Sequence, residues 1–420
     1  MSSKNIIENN WFTELKETSN DITKRFKNKI EYDNLCNPQT VLKKISSIKS
    51  AKLQILGSGV YGVVYKGPVG NGKFIAVKTS KKAEDNLRYE YQMMYYLRKK
   101  SLFFAPAPYR FASCDHQIMY YEYANAGDLR TFMDKIFADG SLPLTKTMSV
   151  PLRSVAPIYF KAIVTHVLYT LHTIFQKIPS FRHNDLHLNN VLITKAGKIE
   201  GYSRYNFHNQ GSFAILKKNL GIQVYVHDFS FSYCDEFPNP EVESGIHIKG
   251  YGIGTNSHPL YDVHFLLNCL YIEYKDYPEF YETKQFIRSI FPDSYLGRTS
   301  QFIDNFRLRY NVKHYLIPSS IYSIFKHSYF IKPRKHRVDD VMKSILYSVA
   351  ATTKINPDKI VNSVKSMSYK INKDKELKIG TRKCRLYKKP ELMKFANTTD
   401  KKKTKKVLCE ILKKKYINKV

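Results

Sequence analysis

Tryptophan occurs once in this 420-residue chain, although tyrosine and phenylalanine are plentiful. With lysine and asparagine also abundant, the bias fits an AT-rich coding sequence as readily as a physical requirement, and no function is read from it. Cysteine is sparse too. Cys36, Cys114, Cys234, Cys269, Cys384 and Cys409 lie far apart with no C-x-x-C pair, a pattern that argues against a zinc site and against a secreted disulfide framework. A reducing intracellular compartment, cytoplasmic or nuclear, is the expectation. Long apolar runs are missing as well. The N-terminal MSSKNIIENNWF has no hydrophobic signal core, and the most apolar stretch, Ile158 to Phe175, is interrupted by Lys161, His166 and His172. No membrane-spanning segment is expected.

Acidic residues are outnumbered 36 to 68 by Lys and Arg, which leaves a formal charge of +32. Such a charge attracts polyanions, whether nucleic acid, an acidic protein or an anionic membrane surface. Residues 331–420 hold 27 Lys and Arg against 8 Asp and Glu, so +19 of the excess sits in the last fifth of the chain.

What remains is 43% hydrophobic and 14% aromatic, ample for a large core in a two-lobed body with an appendage. Residues 1–50 are polar with scattered apolar positions and read as an N-terminal extension of one or two short helices. From Lys52 the β-type runs LQIL, GVVYKG and FIAVKTS alternate with glycine-rich turns, as in an antiparallel meander. A helix is expected from about Ala83 to Lys100, with Leu87, Glu90, Met94 and Leu97 on one face. After IMYYEY the chain turns helix-rich from Leu129. A small β lobe (51–123) therefore precedes a larger helical lobe (124–330), with a basic region at 331–420. Two stretches look like insertions: residues 138–154 have loop composition, and residues 195–223 separate the strand runs NNVLIT and IQVYVHDF; helical patterns recur at 338–349 and 390–415.

Gly57-Ser58-Gly59-Val60-Tyr61-Gly62-Val63 is a G-x-G-x-x-G with β runs on both sides. A tight hairpin would also explain the glycines. A dinucleotide site would run from strand into helix, whereas a strand-to-strand setting suits a glycine cover over phosphates. Lys78 ends the apolar run Ile75-Ala76-Val77. An isolated lysine there ordinarily snorkels to solvent; behind a glycine loop it can hold phosphates if a carboxylate orients it. Glu90 is the candidate carboxylate, with Glu84 as the alternative. Tyr121-Glu122-Tyr123 leaves a strand, and Gly127-Asp128-Leu129 starts a helix. This is either a lobe linker with Asp128 at a helix N-terminus, or a hinge whose Glu122 and Tyr123 backbone meets adenine and whose Asp128 meets ribose. The two readings are compatible.

The most informative stretch is His183-Asn184-Asp185-Leu186-His187-Leu188-Asn189-Asn190, followed by Val226-His227-Asp228-Phe229. Asp185 can accept the proton of an attacking hydroxyl, while Asn190 and Asp228 offer hard oxygen ligands to Mg²⁺ on phosphates. Chance rarely assembles H-x-D-L-x-x-x-N with a downstream D-F. His183 is expected to be a packed residue of this loop, since H-x-x-x-H without partner cysteines does not favour zinc. His166 and His172 read as core or surface histidines.

With these residues in this order, the sequence from Lys52 to about Phe330 resembles the eukaryotic-type protein kinases. Asp262 in PLYDVHFLLNCLY matches the family's anchoring aspartate. The resemblance implies an α+β bilobal fold, a five-stranded antiparallel sheet plus one helix ahead of a helical lobe, with ATP and Mg²⁺ between them. It implies catalytic roles for Asp185, Lys78 and Glu90, and nucleotide contacts from Gly57, Ser58, Gly59, Gly62, Val63, Lys78, Glu122, Tyr123 and Asp128. Asn190 and Asp228 would hold the metal, and protein Ser/Thr hydroxyls would be the acceptors.

The departures from the family pattern are specific. Asn184 replaces the arginine that receives an activation-loop phosphate, His187 replaces the usual lysine, Ser230 stands where D-F-G has glycine, and no A-P-E precedes Asp262. The H-x-D-L-H-x-x-N form, the insert before Asp228 and GIQVYVHDFSFS are similar to haspin-type kinases. DFSFS and YDVHFLL resemble serine/threonine kinases of large DNA viruses, for which a virion-associated location would follow. H-x-D-L-H-x-x-N also occurs in aminoglycoside and choline kinases, so small-molecule phosphorylation is the enzymatic alternative. In the basic region, YKKPELMKF with KKKTKKVLCEILKKK resembles a SAP-type DNA-binding module; a solvated basic tail is the plainer reading. A catalytically inert kinase fold that recruits nucleic acid through this tail is the third alternative.

Overall fold

Period-two alternation decides how the first sheet is used. In FIAVK, Ile75 and Val77 face one side while Ala76 and Lys78 face the other, and the two sides bury against different partners. The computed structural model describes residues 10–46, 51–82, 86–100, 102–138, 141–145, 148–195, 202–207, 213–218, 220–247, 252–255, 260–297 and 320–330, and in a second unit 369–371, 377–379 and 382–383.

The outer side is covered by the N-terminal extension. Helices α1 (Asn10–Lys29) and α2 (Pro38–Ser46), joined by a 3-10 turn at Tyr32–Cys36, precede the sheet. Strands β1 (Gln54–Ser58), β2 (Gly62–Gly70), β3 (Lys73–Ser80), β4 (Pro108–Ser113) and β5 (Gln117–Glu122) pair antiparallel in the order β1-β2-β3-β5-β4. Ile22, Phe26 and Ile30 recur at helical spacing and bury with Val41, Leu42 and Ile45 against the outer face of this sheet. The Phe26 ring lies 5.8 Å from Tyr109 and 5.4 Å from Tyr120. Polar ties complete the contact: Tyr120 Oη donates to Leu35 O (2.6 Å) and Arg25 Nη1 to Val69 O (3.0 Å). Gly67 is required by this approach, because a Cβ there would come within 2.6 Å of the Leu42 side chain.

A disulfide between Cys36 and Cys114 links the extension to the end of β4, with Cα atoms 5.9 Å apart. Cysteine spacing gave no sign of it, because the two thiols are brought together only when the extension docks on the sheet. Cys234 is a buried thiol beside Phe237 O.

The inner side of the sheet belongs to a core continuous with the helical lobe. Helix α3 (Leu87–Lys99) buries Leu87, Glu90, Met94 and Leu97, the face expected from the sequence. The second lobe contains β6 (Gly127–Asp128), α4 (Leu129–Phe137), the hairpin β7 (Ser141–Thr145) and β8 (Met148–Pro151), α5 (Ala156–Lys177) and β9 (Val191–Lys195). These are followed by β10 (Tyr202–Phe207), β11 (Phe213–Lys218), β12 (Ile222–Val226), α6 (Pro240–Glu243), α7 (Tyr261–Tyr274), α8 (Tyr281–Ile290) and α9 (Ile321–Ile324). The bilobal α+β arrangement expected from the sequence is present. Helix α5 has the length and apolarity of a membrane span by composition, yet Phe160, Val164, Leu168 and Leu171 are buried in the lobe core, which accounts for its apolar character.

Both stretches read as insertions contain hairpins, β7-β8 and β10-β11. In the second, Tyr205 and Phe207 alternate with polar residues and bury against Tyr169 of α5, a pattern too short to outweigh the polar flanks in a reading of composition. The second unit, Pro333–Val420, shows a small antiparallel sheet of β13 (Tyr369–Ile371), β14 (Leu377–Ile379) and β15 (Arg382–Lys383). The helical patterns at 338–349 and 390–415 and the SAP-like segment lie outside the described residues.

The disulfide spans a separation of 78 residues, for which chain entropy gives a stabilisation of about 4.5 kcal/mol. Reductant is therefore expected to lower the melting temperature of the wild-type protein, and a Cys36→Ser, Cys114→Ser variant should melt at the lower temperature with or without reductant. Calorimetry in the two conditions checks this; equal wild-type melting in both would remove the disulfide from the native state.

Candidate active site

Lys78 is 6% exposed and carries its ammonium between two carboxylates. Nζ lies 2.6 Å from Glu90 Oε2 and 3.5 Å from Asp228 Oδ1. The lysine comes from β3, Glu90 from the buried face of α3, and Asp228 from the segment just after β12. Burial alone would lower the Lys78 ammonium; the charges of Asp228 and Glu90 outweigh it and hold Lys78 above its ordinary value. Burial pushes Glu90 up to about 7, against the pull of Lys78. Burial also opposes the charge on Asp228, but Lys78 holds it well below the usual carboxylate range, helped by a 2.6 Å hydrogen bond from Ser230 Oγ. The serine in the usual glycine position thus steadies Asp228, whose φ of +63° is in the left-handed region. Glu84, the alternative partner for Lys78, lies outside the described residues.

Asp185 and Asn190 stand on the loop before β9. Asn190 Nδ2 donates to Asp185 O at 2.8 Å and approaches Asp185 Oδ2 at 3.4 Å, which commits its nitrogen and leaves Oδ1 as its acceptor atom. His187 Nε2 lies 3.6 Å from Asp185 Oδ2. No group of three or more His, Cys, Asp or Glu side chains arranged to hold a metal ion by themselves exists among the described residues. One amide oxygen and one carboxylate nonetheless fit Mg²⁺, which keeps waters and takes its remaining ligands from phosphates.

The loop hangs from α7. Asp262, fully buried in the first turn of that helix, accepts from His183 N (2.8 Å) and Asn184 N (2.9 Å) through its two oxygens. His183 is packed, as expected: its Nε2 donates to His227 O (2.9 Å), its ring lies 5.2 Å from Phe229, and burial pushes it down to about 4. Asn184 adopts φ +67°, tolerable for asparagine. Its Nδ2 donates to Phe231 O (2.9 Å) and contacts Gly254 O (3.4 Å), so a neutral amide joins the catalytic loop to both ends of the following segment. Asn239 continues that network by donating to Ser230 O and Ser232 O. Tyr89 of α3 donates to Ser232 O and Phe237 O, both at 3.0 Å.

The glycine loop joins β1 to β2, with Gly59 N donating to Gly62 O. A Cβ at Gly57 or Gly59 would meet nothing within 4 Å, whereas one at Gly62 would lie 2.6 Å from Thr79 O. Gly62 therefore serves the β2-β3 contact, and Gly57 and Gly59 leave room beside Ser58. Val63 is displaced from its expected role. It pairs with Thr79, on the opposite face from Lys78; Val64, paired directly with Lys78, shares the lysine's face with Ala76 and Tyr121. Counting by twos from Lys78 would have found Val64 and Ala76.

At the lobe junction the Glu122 side chain is buried, accepting from Ala107 N (3.0 Å) and Tyr225 Oη (3.0 Å), and burial raises its carboxyl. The Tyr123 ring lies 6.0 Å from Phe74, with Lys66 Nζ 5.1 Å from its centroid. Asp128 caps α4: its two oxygens accept from Thr131 N and Thr131 Oγ1, both at 2.9 Å. The structure thus brings Lys78, Glu90, Asp228, Asp185 and Asn190 to one junction and gives Asp128 a capping task.

A family profile described as "Protein kinase domain" matches residues 50–201, and one described as "Poxvirus serine/threonine protein kinase" matches residues 137–330. A relative from Acanthamoeba polyphaga mimivirus, R400, named as a serine/threonine-protein kinase, is 25% identical over 239 residues, or 54% of this chain and 47% of the relative. The chain thus spans about half the length of that relative. The crystal structure of the BubR1 kinase domain is similar at a TM-score of 0.31 and 14% identity, over 46% of this chain and 51% of that one. The two family matches run without a gap from residue 50 to residue 330, over the strands, loops and carboxylates described above, and along that stretch the chain is similar to protein kinases, those of large DNA viruses included.

Proposed function

We propose that this chain is an ATP- and Mg²⁺-dependent protein kinase that transfers the γ-phosphate to serine or threonine hydroxyls. The observation that carries the reading is the buried Lys78–Glu90 pair, already formed beside Asp228 and set at the same junction as Asp185 and Asn190. In this reading Lys78, oriented by Glu90, holds the phosphates. Asp228 and Asn190 are the residues that would hold Mg²⁺, which when bound neutralises phosphate charge. Asp185 accepts the acceptor hydroxyl's proton as the oxygen bonds to the γ-phosphorus and the bond to the β-γ bridging oxygen breaks, releasing ADP. Most of the acceleration then comes from positioning and charge stabilisation.

Transfer of labelled γ-phosphate from Mg·ATP to protein mixtures, to the chain itself and to small aminoalcohols tests this. Labelled phosphoserine or phosphothreonine is expected, with Asp185→Asn lowering the rate by about 100-fold or more. Labelling confined to aminoalcohols would replace the reading with small-molecule phosphorylation, and no transfer despite ATP binding would make the fold a non-catalytic one.

Asn184 supports an enzyme that needs no activation-loop phosphate. Its amide bonds Phe231 O directly, where an arginine would wait for a phosphate. Phosphatase treatment is expected to leave the rate unchanged. Asn184→Gly, which keeps the positive φ but removes the amide, should reduce it, and a rate that instead depends on phosphorylation would overturn this assignment.

For the basic region we propose sequence-independent nucleic-acid binding. Its lysines would release counterions from phosphates, so retention on DNA should weaken steeply with salt and disappear on deletion after Phe330. Unchanged retention after deletion would refute it.

A further inference from the structure

Glu90 has a second oxygen, and the lysine does not use it. Oε2 takes the Lys78 ammonium, whereas Oε1 is buried without a hydrogen bond among the described residues. His227 Nε2 lies 3.6 Å from it, equally buried and equally without a hydrogen-bond partner among the described residues. Two unsatisfied polar atoms facing each other inside a core form a pair that a few tenths of an ångström would close.

His227 is held by its backbone and by its ring plane. Its backbone N donates to Asn190 O (2.9 Å), and its backbone O accepts from His183 Nε2 (2.9 Å). Its ring stacks on Tyr121, with centroids 5.0 Å apart and planes 24° from parallel. The groups around it are Lys78, Glu90, Tyr121, His183 and Asp228. A neutral imidazole has one N–H to place. On Nε2 it meets a carboxylate oxygen; on Nδ1 it leaves two lone pairs facing each other.

We propose that His227, with its proton on Nε2, donates to Glu90 Oε1 and is a positioning residue for Lys78. The proposal rests on the kinase reading for its effect on rate and on the geometry alone for the hydrogen bond. A carboxylate held at one oxygen can rotate about its terminal torsion, and Asp228, 3.5 Å from the same ammonium, competes for the lysine. Held at both oxygens, Glu90 keeps Lys78 on α3 and leaves Asp228 available for other ligands.

The tautomer is read directly from nitrogen-15 histidine spectra of the wild-type protein, with the His227 signals identified by their loss in His227→Gln. A neutral ring protonated on Nε2 is expected, and protonation on Nδ1 overturns the proposal whether or not the protein transfers phosphate. Two variants then separate donation from packing. His227→Phe keeps the stack on Tyr121 but has no donor, and is expected to bind Mg·ATP about tenfold more weakly and to transfer phosphate more slowly. His227→Gln retains an N–H and is expected to stay within about threefold of wild type in both measurements. Equal losses in the two variants, or wild-type affinity in His227→Phe with an unchanged melting temperature, overturn the proposal. Absence of transfer by the wild type would remove the kinase reading alone, since the spectra and the binding measurements still decide the role of His227.

Discussion

The buried ion pair between Lys78 and Glu90 is the constraint on which the rest of the domain depends. Neither charge can be left alone in the interior: breaking such a pair by removing one partner typically costs about 3–5 kcal/mol. The lysine is on the sheet and the glutamate on a helix from a different stretch of chain, so the pair holds only if the sheet and α3 are kept in register. Met93 and Met94 of α3 and Ala76, Met119 and Tyr121 of the sheet belong to one buried cluster that does this.

The sheet is braced from behind as well. Alternation along β3 sends Ile75 and Val77 to the outer face, where they would be exposed without the N-terminal helices. Phe26, Leu42 and the Cys36–Cys114 disulfide close that face. The extension is therefore part of the small lobe's core, and the rigidity of the strand bearing Lys78 depends on both faces being covered.

On the other side of the junction, a single carboxylate organises the loop that bears Asp185. Asp262 satisfies two adjacent backbone N–H groups from the first turn of α7, where the helix dipole favours a negative charge. That bond fixes His183 and Asn184, and through their side chains the backbone of His227 and Phe231. Neutral hydrogen bonds from Asn184, Asn239 and Tyr89 hold the segment after Asp228.

Sequence by itself determined which chemical groups were available and in what order: the glycine loop, Lys78, Asp185, Asn190 and Asp228, and the lobes that would carry them. These were legible because hard oxygen donors and a lone lysine inside apolar runs have few structural uses. Asp128 was legible only as a residue at a helix start, and the structure makes it the N-cap of α4. Which valine shares the face of Lys78, which cysteines meet, how the first 50 residues are used, and that His227 faces the unused oxygen of Glu90 were decided by tertiary structure alone. Each depends on which segments lie opposite one another across a sheet or a helix face, and separation along the chain carries no information about that.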